Sequence, residues 1–232
     1  MQLAIISGAS RGIGLACARQ FAAQGFTVIN IARNPANQPG IIDLCCNLGW
    51  ESELAETLEG LIPYASKAQQ ICLLHNASRF NSDQLGNCEN DDLKLGFAVQ
   101  IMAATMISRT VIPFMKPGSS LLYMGSTLSE KGVSNAYTYT LIKHAVAGMM
   151  RASCQDLSGS GIHTACICPG FTNTDMLQQR LQQSPQLAAA ATDNAFSRLI
   201  SPEEIAELVF WAHHHPVING AMLHAHLGQN QQ

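Results

Sequence analysis

Short apolar runs alternate with amphipathic stretches along the chain. Leu3 to Ser7 is an apolar run closed by glycines, and the stretch after it places Ile13, Cys17 and Phe21 at i, i+4 and i+8, on one helical face. Thr27 to Ala32 and Ile41 to Leu44 read as the next strands, and Trp50 to Leu61 as a helix with its acidic residues outward. Gln70 to Leu74, Ser120 to Met124, His163 to Cys168 and Ala221 to Ala225 read as further strands. Long helices are expected over Asp91 to Met115 and Asn135 to Leu157. Ser201-Pro202-Glu203-Glu204 opens another, with serine as N-cap, proline in the first turn and carboxylates at the positive end of the dipole. Fully apolar strands separated by helices imply an α/β fold, a parallel sheet covered on both faces. No repeat or linker interrupts the pattern, so residues 1–232 read as a single domain. The Gln/Ala-rich stretch from Gln178 to Ala191 is the least constrained, and Gln229 to Gln232 reads as a frayed tail.

Composition narrows the partners. Hydrophobic residues make up 47% and charged residues 12%, so much of the surface is neutral or covered by another subunit. A net charge of −3 provides no basic field for nucleic acid. None of the eight cysteines forms a Cys-x-x-Cys pair, and most lie in apolar runs, which suits reduced thiols and a cytoplasmic location. The opening MQLAIISG has no basic region before its apolar run, so no signal peptide is expected. The uncharged stretch Leu95 to Ser108 reads as too short to span a bilayer, and no membrane association is expected. Adjacent residues on a helix point apart, so His213-His214-His215 reads as the decoration of a helix end and no metal site is expected. His224 and His226 share a strand face without a further ligand in view.

The glycine turn has a chemical use. Ser7-Gly8-Ala9-Ser10-Arg11-Gly12-Ile13-Gly14 lies between a strand and a helix, where the backbone can approach a pyrophosphate and the helix N-terminus supplies free N–H groups. At the end of the second strand, enzymes that use NAD place an acidic residue on the ribose. Here that end reads Asn30-Ile31-Ala32-Arg33, and no Asp or Glu precedes Asp43, whereas Arg11, Arg19 and Arg33 do. Arginine suits a 2′-phosphate because its planar fork donates two bonds at once. The reading is NADP(H), with Arg33 as the phosphate partner or else a solvated loop cation.

Tyr137-Thr138-Tyr139-Thr140-Leu141-Ile142-Lys143 offers two tyrosines to one lysine. Tyr139 and Lys143 are i and i+4 on one helical face, whereas Tyr137 lies roughly 240° away at about 100° per residue. A cation beside a tyrosine favours its phenolate, so such a pair suits proton exchange with a developing alkoxide.

These motifs together, in order from Ser7 to Thr174, resemble the short-chain dehydrogenase/reductase family. The glycine turn is similar to its TGxxxGxG fingerprint, with Ser7 for threonine. The resemblance implies a Rossmann-type doubly wound parallel sheet with helices on both faces. It implies that Gly8, Ser10, Arg11, Gly12, Ile13 and Gly14 hold the cofactor, and that Asp43 and Leu44 touch its adenine. Asn76-Ala77 resembles the centre of the family's NNAG motif, and Pro169-Gly170-Phe171-Thr172-Asn173-Thr174 its PG motif, with Thr172 and Thr174 at the nicotinamide. Ser126, thirteen residues before Tyr139, takes the place of the substrate-orienting serine. Tyr139 and Lys143 take the places of proton donor and of the lysine that holds the nicotinamide ribose. Gln100 stands where the family carries an asparagine in a proton relay. The resemblance also implies that the two long helices pair between subunits in a homodimer or homotetramer, and that a lid at about 171–200 covers the substrate. Met176, Leu177, Leu181, Leu187 and Phe196 are expected to line it, while Arg180 and Arg198 are either anion-attracting groups or ordinary solvated cations. The implied activity is NADPH-dependent reduction of a ketone, aldehyde or 3-oxoacyl carbonyl; the alternative is an NADP(H)-binding regulatory or scaffold protein without useful turnover.

Overall fold

Side chains alternate across a strand, and in this chain both faces are apolar. Strand β1 (Gln2–Ser7) sends Leu3 and Ile5 to one side and Ala4 and Ile6 to the other. In the computed structural model, which describes residues 1–229, all four are fully buried. The remaining strands are β2 (Thr27–Ala32), β3 (Ile41–Cys45), β4 (Gln70–His75), β5 (Ser120–Met124), β6 (His163–Pro169) and β7 (Ala221–Ala225). All pair in parallel, in the order β3-β2-β1-β4-β5-β6-β7. The order reverses between β1 and β4, and a crevice forms there at the carboxyl ends of the strands.

Helices α1 (Gly12–Ala23) and α9 (Pro202–His214) cover one face, sealed by Phe21, Ile205 and Val209. On the other lie α2 (Glu51–Glu59), the single turn α3 (Ile62–Ala65), α4 (Asn90–Phe97), α5 (Ala103–Val111) and α6 (Tyr137–Asp156). Residues 171–200 carry α7 (Asp175–Leu181) and α8 (Pro185–Ala191), so the stretch expected to be least constrained is largely helical. Ser184 caps α8 by accepting from Leu187 N–H at 3.2 Å, with Pro185 in the first turn. At α9 the serine cap is reciprocal: Ser201 accepts from Glu204 N–H, and Glu204 accepts from Ser201 N–H. The expected tail falls, at 230–232, outside the described residues.

α4 and α5 are joined through a π-helical turn, Ala98–Met102, into one run from Asn90 to Phe114. At 25 residues, with an 18-residue stretch of mean hydropathy 1.5, this run is long and apolar enough to cross a bilayer. The length argument against a span therefore fails, because the pattern of uncharged residues stops short of the helix ends. Within this fold Ala103, Ala104, Ile107 and Val111 are buried, and the run serves as a core helix.

His213 corrects another expectation. It does not decorate a helix end; it is 2% exposed, with Nδ1 and Ser120 Oγ 2.8 Å apart and its ring against Phe21 and Phe26. His75 is likewise buried, 2.7 Å from Ser108 Oγ. Burial pushes both imidazoles down to about 3, helped at His213 by His214 and His163. An unfolded histidine titrates near 6.5, so between about 3 and 6.5 the unfolded chain binds more protons than the native one. Stability is therefore expected to fall as pH drops below about 6.5, by about 1.4 kcal/mol per pH unit for each histidine. Carboxylates titrate lower, so a urea midpoint that stays level from pH 6.5 to 5 contradicts this, and His213→Asn should flatten the slope.

Candidate active site

The crevice is built first from backbone. Gly8 adopts φ +74°, and a Cβ there would stand 2.8 Å from Ala77 Cα, so only glycine lets the loop after β1 lie against the loop after β4. Asn76 stitches the two together: its Nδ2 donates to the carbonyls of Ser7 and Gly8 at 3.1 and 3.0 Å. Ser7 Oγ in turn accepts from the N–H groups of Asn76 and Ala77. Asn30, fully buried in an otherwise apolar strand, accepts from Ala9 N–H at 2.8 Å and holds the loop from the other side.

Residues Ser10 to Gly14 lead this loop into α1. Arg11 is its N-cap residue and gives no side-chain cap, so the first N–H groups of the helix carry no side-chain acceptor. A Cβ on Gly14 would run into Gly8 O and Asn76 Nδ2, and one on Gly12 would meet Thr174 Cγ2 at 3.2 Å. A backbone cradle with uncapped N–H groups at its mouth fits a pyrophosphate. Beside it Ala32 is buried, and Arg11 and Arg33 are exposed without an acidic partner among the described residues. Arg19 lies apart, donating to Gln38. Asp43 Oδ1 is occupied by Asn30 Nδ2 at 2.8 Å and Ala36 N–H at 2.9 Å, which ties β3 to the loop after β2. Leu44 packs against the core beneath α2.

Lys143, Tyr139 and Ser126 follow from β5 and α6. Lys143 is 2% exposed and donates from Nζ to Met124 O at 2.8 Å. Its Nζ stands 5.4 Å from the Tyr139 ring centroid, one helical turn away. Ser126 follows Met124 by two residues; it is 9% exposed, and its Oγ accepts from Leu128 N–H. A reciprocal bond from Ser126 N–H to Ser129 Oγ fixes the turn. The start of α6 is held from a distant loop, because Asp83 Oδ1 accepts from Thr138 N–H and Asp83 O from Tyr137 N–H.

Gln100 sits in the π turn, where the extra residue per turn re-aims a side chain. Its Oε1 accepts from Ser78 Oγ at 2.8 Å, and its buried Nε2 has no protein partner among the described residues. Gln100, Lys143 and His75 line one small cavity of about 10 Å³, the room of about one water.

Pro169 ends β6, and Gly170 N–H donates to Ala225 O. Thr172 bridges to Ile200, which brings the two ends of the segment 171–200 together. Thr174 caps α7 through Leu177 N–H and lies against Gly12, so the start of α7 reaches the glycine loop. Leu177 is buried and Met176, Leu181 and Leu187 half-buried, but Phe196 is 63% exposed and lines no enclosed pocket. Arg198 is paired with Glu204 by two bonds of 2.7 Å, which removes it as an anion receptor. Arg180 lies elsewhere, over the ring of Phe80. His224 pairs with Glu130 at 2.9 Å, and no metal-binding cluster occurs among the described residues.

Sequence reasoning missed Asn30, Asp83, Ser78 and Phe80. Asn30 left a signal, a lone amide inside an apolar strand. The other three lie on the loop after β4, where no periodicity assigns a direction.

A glycine cradle at the reversal point of a parallel sheet, with a serine, a tyrosine and a buried lysine above it, defines a dinucleotide-dependent oxidoreductase of the doubly wound class. The family model described as enoyl-(acyl carrier protein) reductase matches residues 8–230. Dehydrogenase/reductase SDR family member 6 of Rattus norvegicus is 28% identical over 218 residues, covering 88% of this chain and 86% of the relative. A short chain dehydrogenase family protein from Francisella tularensis superposes over the whole of both chains, with a TM-score of 0.89 at 23% identity. A short chain dehydrogenase from Burkholderia cenocepacia in complex with NADP superposes over 98% of this chain and 97% of its own, with a TM-score of 0.87 at 23% identity. The chain belongs to the short-chain dehydrogenase/reductase family, a family of oxidoreductases.

Proposed function

We propose that this chain is an NADPH-dependent reductase that converts a ketone, aldehyde or 3-oxoacyl carbonyl to an alcohol. The observation that carries the reading is the buried Lys143 ammonium, anchored on Met124 O and facing the Tyr139 ring. A protein that only binds a dinucleotide would use this lysine on the ribose but would have no use for Tyr139 and Ser126 beside it.

The bound nicotinamide supplies the hydride. Tyr139 donates its hydroxyl proton to the oxygen of the reacting carbonyl, and Ser126 holds that oxygen by a second hydrogen bond. Met124 O takes one of the three Lys143 donors, which leaves two for the nicotinamide ribose and for a proton path. Gln100 Nε2 on the shared cavity supports a weakened relay role for this residue. Gly8 and Ser10 to Gly14 would hold the pyrophosphate, Asn76, Ala77, Pro169, Gly170, Thr172 and Thr174 the nicotinamide half, and Asp43 and Leu44 the adenine.

NADPH is favoured over NADH by Arg33 and Arg11 beside a buried Ala32, where β2 ends without an acidic residue to take the ribose 2′-hydroxyl. In a fluorescence titration NADPH is expected to bind at least about tenfold tighter than NADH, and Arg33→Ala to remove most of that difference. Equal affinities would sink the assignment. A scaffold protein would bind NADPH yet oxidise none of it with a panel of ketones, diketones and 3-oxoacyl thioesters.

The working unit is a homodimer or homotetramer. Leu95 and Met102 on the α4–α5 run and Leu141 on α6 leave apolar surface exposed at 38%, 53% and 40%, on the two helices that a second copy would cover. Light scattering is expected to show at least twice the mass of one chain; a monomer at micromolar concentration overturns this.

A further inference from the structure

Arg180, on the lid helix α7, is unlike the other arginines. Arg79 pairs with Asp92, Arg151 with Glu130 and Arg198 with Glu204, all at surface-accessible positions. Arg11, Arg19, Arg33 and Arg109 are exposed. Arg180 is half-buried, and among the described residues no carboxylate and no hydrogen-bond acceptor meets its guanidinium. Its Cζ lies 3.5 Å from the centroid of Phe80, and the Phe80 ring lies 5.1 Å from that of Tyr139. Phe80 thus touches both Arg180 and Tyr139, its ring tilted 56° to that of Tyr139.

With Cζ 3.5 Å from the ring centroid and no N–H donor taken by a protein acceptor among the described residues, the guanidinium keeps its five donors available for a forked contact. Burial disfavours the charged guanidinium, while proximity to Tyr139 acts the other way. A cation partly withdrawn from water and left unpaired is a standing cost, which an arriving carboxylate offsets through two charge-assisted bonds. The lid helix that carries it begins at Thr174, against the glycine loop, so Arg180 is set on the substrate side of the crevice.

We propose that Arg180 is the specificity-determining residue of this site and that the substrate is a short oxo acid, or the corresponding hydroxy acid. Its carboxylate is held by the in-plane N–H groups of Arg180 while its carbonyl faces Tyr139. The oxo acid gains hydride at its carbonyl carbon and a proton at its oxygen from Tyr139, and NADPH is oxidised to NADP⁺. This rests on the reading of the site as a carbonyl-reducing one.

The test compares short 2-, 3- and 4-oxo acids with their methyl esters at saturating NADPH. Wild type should prefer at least one acid over its ester. Arg180→Gln should lower kcat/KM for that acid by about 10- to 100-fold, mostly through KM, and change the ester's value less than about threefold. Arg180→Lys should recover part of the loss. Equal losses on acid and ester would make Arg180 a mere latch on Phe80, and weaker NADPH binding would assign it to a cofactor phosphate; either result overturns the proposal. Calorimetric titration of the same acids into the NADP⁺-saturated protein separates this proposal from the reductase reading. Binding lost in Arg180→Gln sustains the anion site even where no carbonyl is reduced, and no acid binding to wild type overturns it.

Discussion

Tyr139→Phe is expected to lower kcat for carbonyl reduction by about 10³-fold while the Kd for NADPH moves less than about threefold. The substitution deletes one hydroxyl and leaves the ring against Phe80 and under Lys143 Nζ, so neither packing nor the lysine's anchor on Met124 is disturbed. On the proposed mechanism, what is lost is the proton that the developing alkoxide requires. Tyr137→Phe is the matched control. Tyr137 opens α6 with its backbone bonded to Asp83 O, six residues from Lys143 and off its face, and its rate should stay within about threefold of wild type. Stopped-flow single turnover separates the chemical step from product release. A Tyr139→Phe protein that reduces carbonyls at the wild-type rate removes this residue from the mechanism. In the same assay Gln100→Leu, which strips the amide from the cavity shared with Lys143, should slow the reaction and alter its pH profile; an unchanged profile leaves Gln100 a packing role.

Gly14→Ala is expected to destabilise the fold by about 3 kcal/mol or more and to abolish cofactor binding. Gly14 is on the first turn of α1, and an added methyl has nowhere to go. It meets Gly8 O, which is backbone, and Asn76 Nδ2, which is already bonded to the carbonyls of Ser7 and Gly8. Relief requires α1 to move off β1 or Asn76 to leave two hydrogen bonds, and either breaks the cradle. Urea unfolding followed by circular dichroism measures the first effect, and NADPH fluorescence the second. A Gly14→Ala protein with wild-type stability would show that the loops after β1 and β4 are not in the contact described. Gly25 makes a useful contrast, since a Cβ there meets nothing within 4 Å and only its φ of +82° opposes substitution.

The strands were legible in the sequence because each is a short apolar run bounded by polar or glycine residues. β2, β5 and β7 run over Thr27–Ala32, Ser120–Met124 and Ala221–Ala225, the limits that the apolar pattern marks. The start of α9 was equally plain, because the Ser201 cap and Pro202 are local chemistry. The long helix was harder. Its apolar pattern gives no sign of the π turn at Ala98–Met102, since one extra residue per turn leaves the composition unchanged. The histidine cluster misled for a similar reason: Ser120, His213's partner, is 93 residues away, and no local pattern announces it.

Helical spacing by itself placed Tyr139 rather than Tyr137 over Lys143, and the alternation of strand and helix by itself required a parallel sheet covered on both faces. Both follow from fixed periods of the backbone, which residues near in sequence obey whatever surrounds them. Only the tertiary structure decided which charges are spent and which remain. Arg198 is closed by Glu204 on the next helix, Asp43 is taken up by Asn30 and Ala36, and Arg180 stays unpaired among the described residues, on Phe80 beside Tyr139. Partners for a long side chain are chosen by which loops and helices the packed core brings into reach, and that depends on contacts across the whole chain.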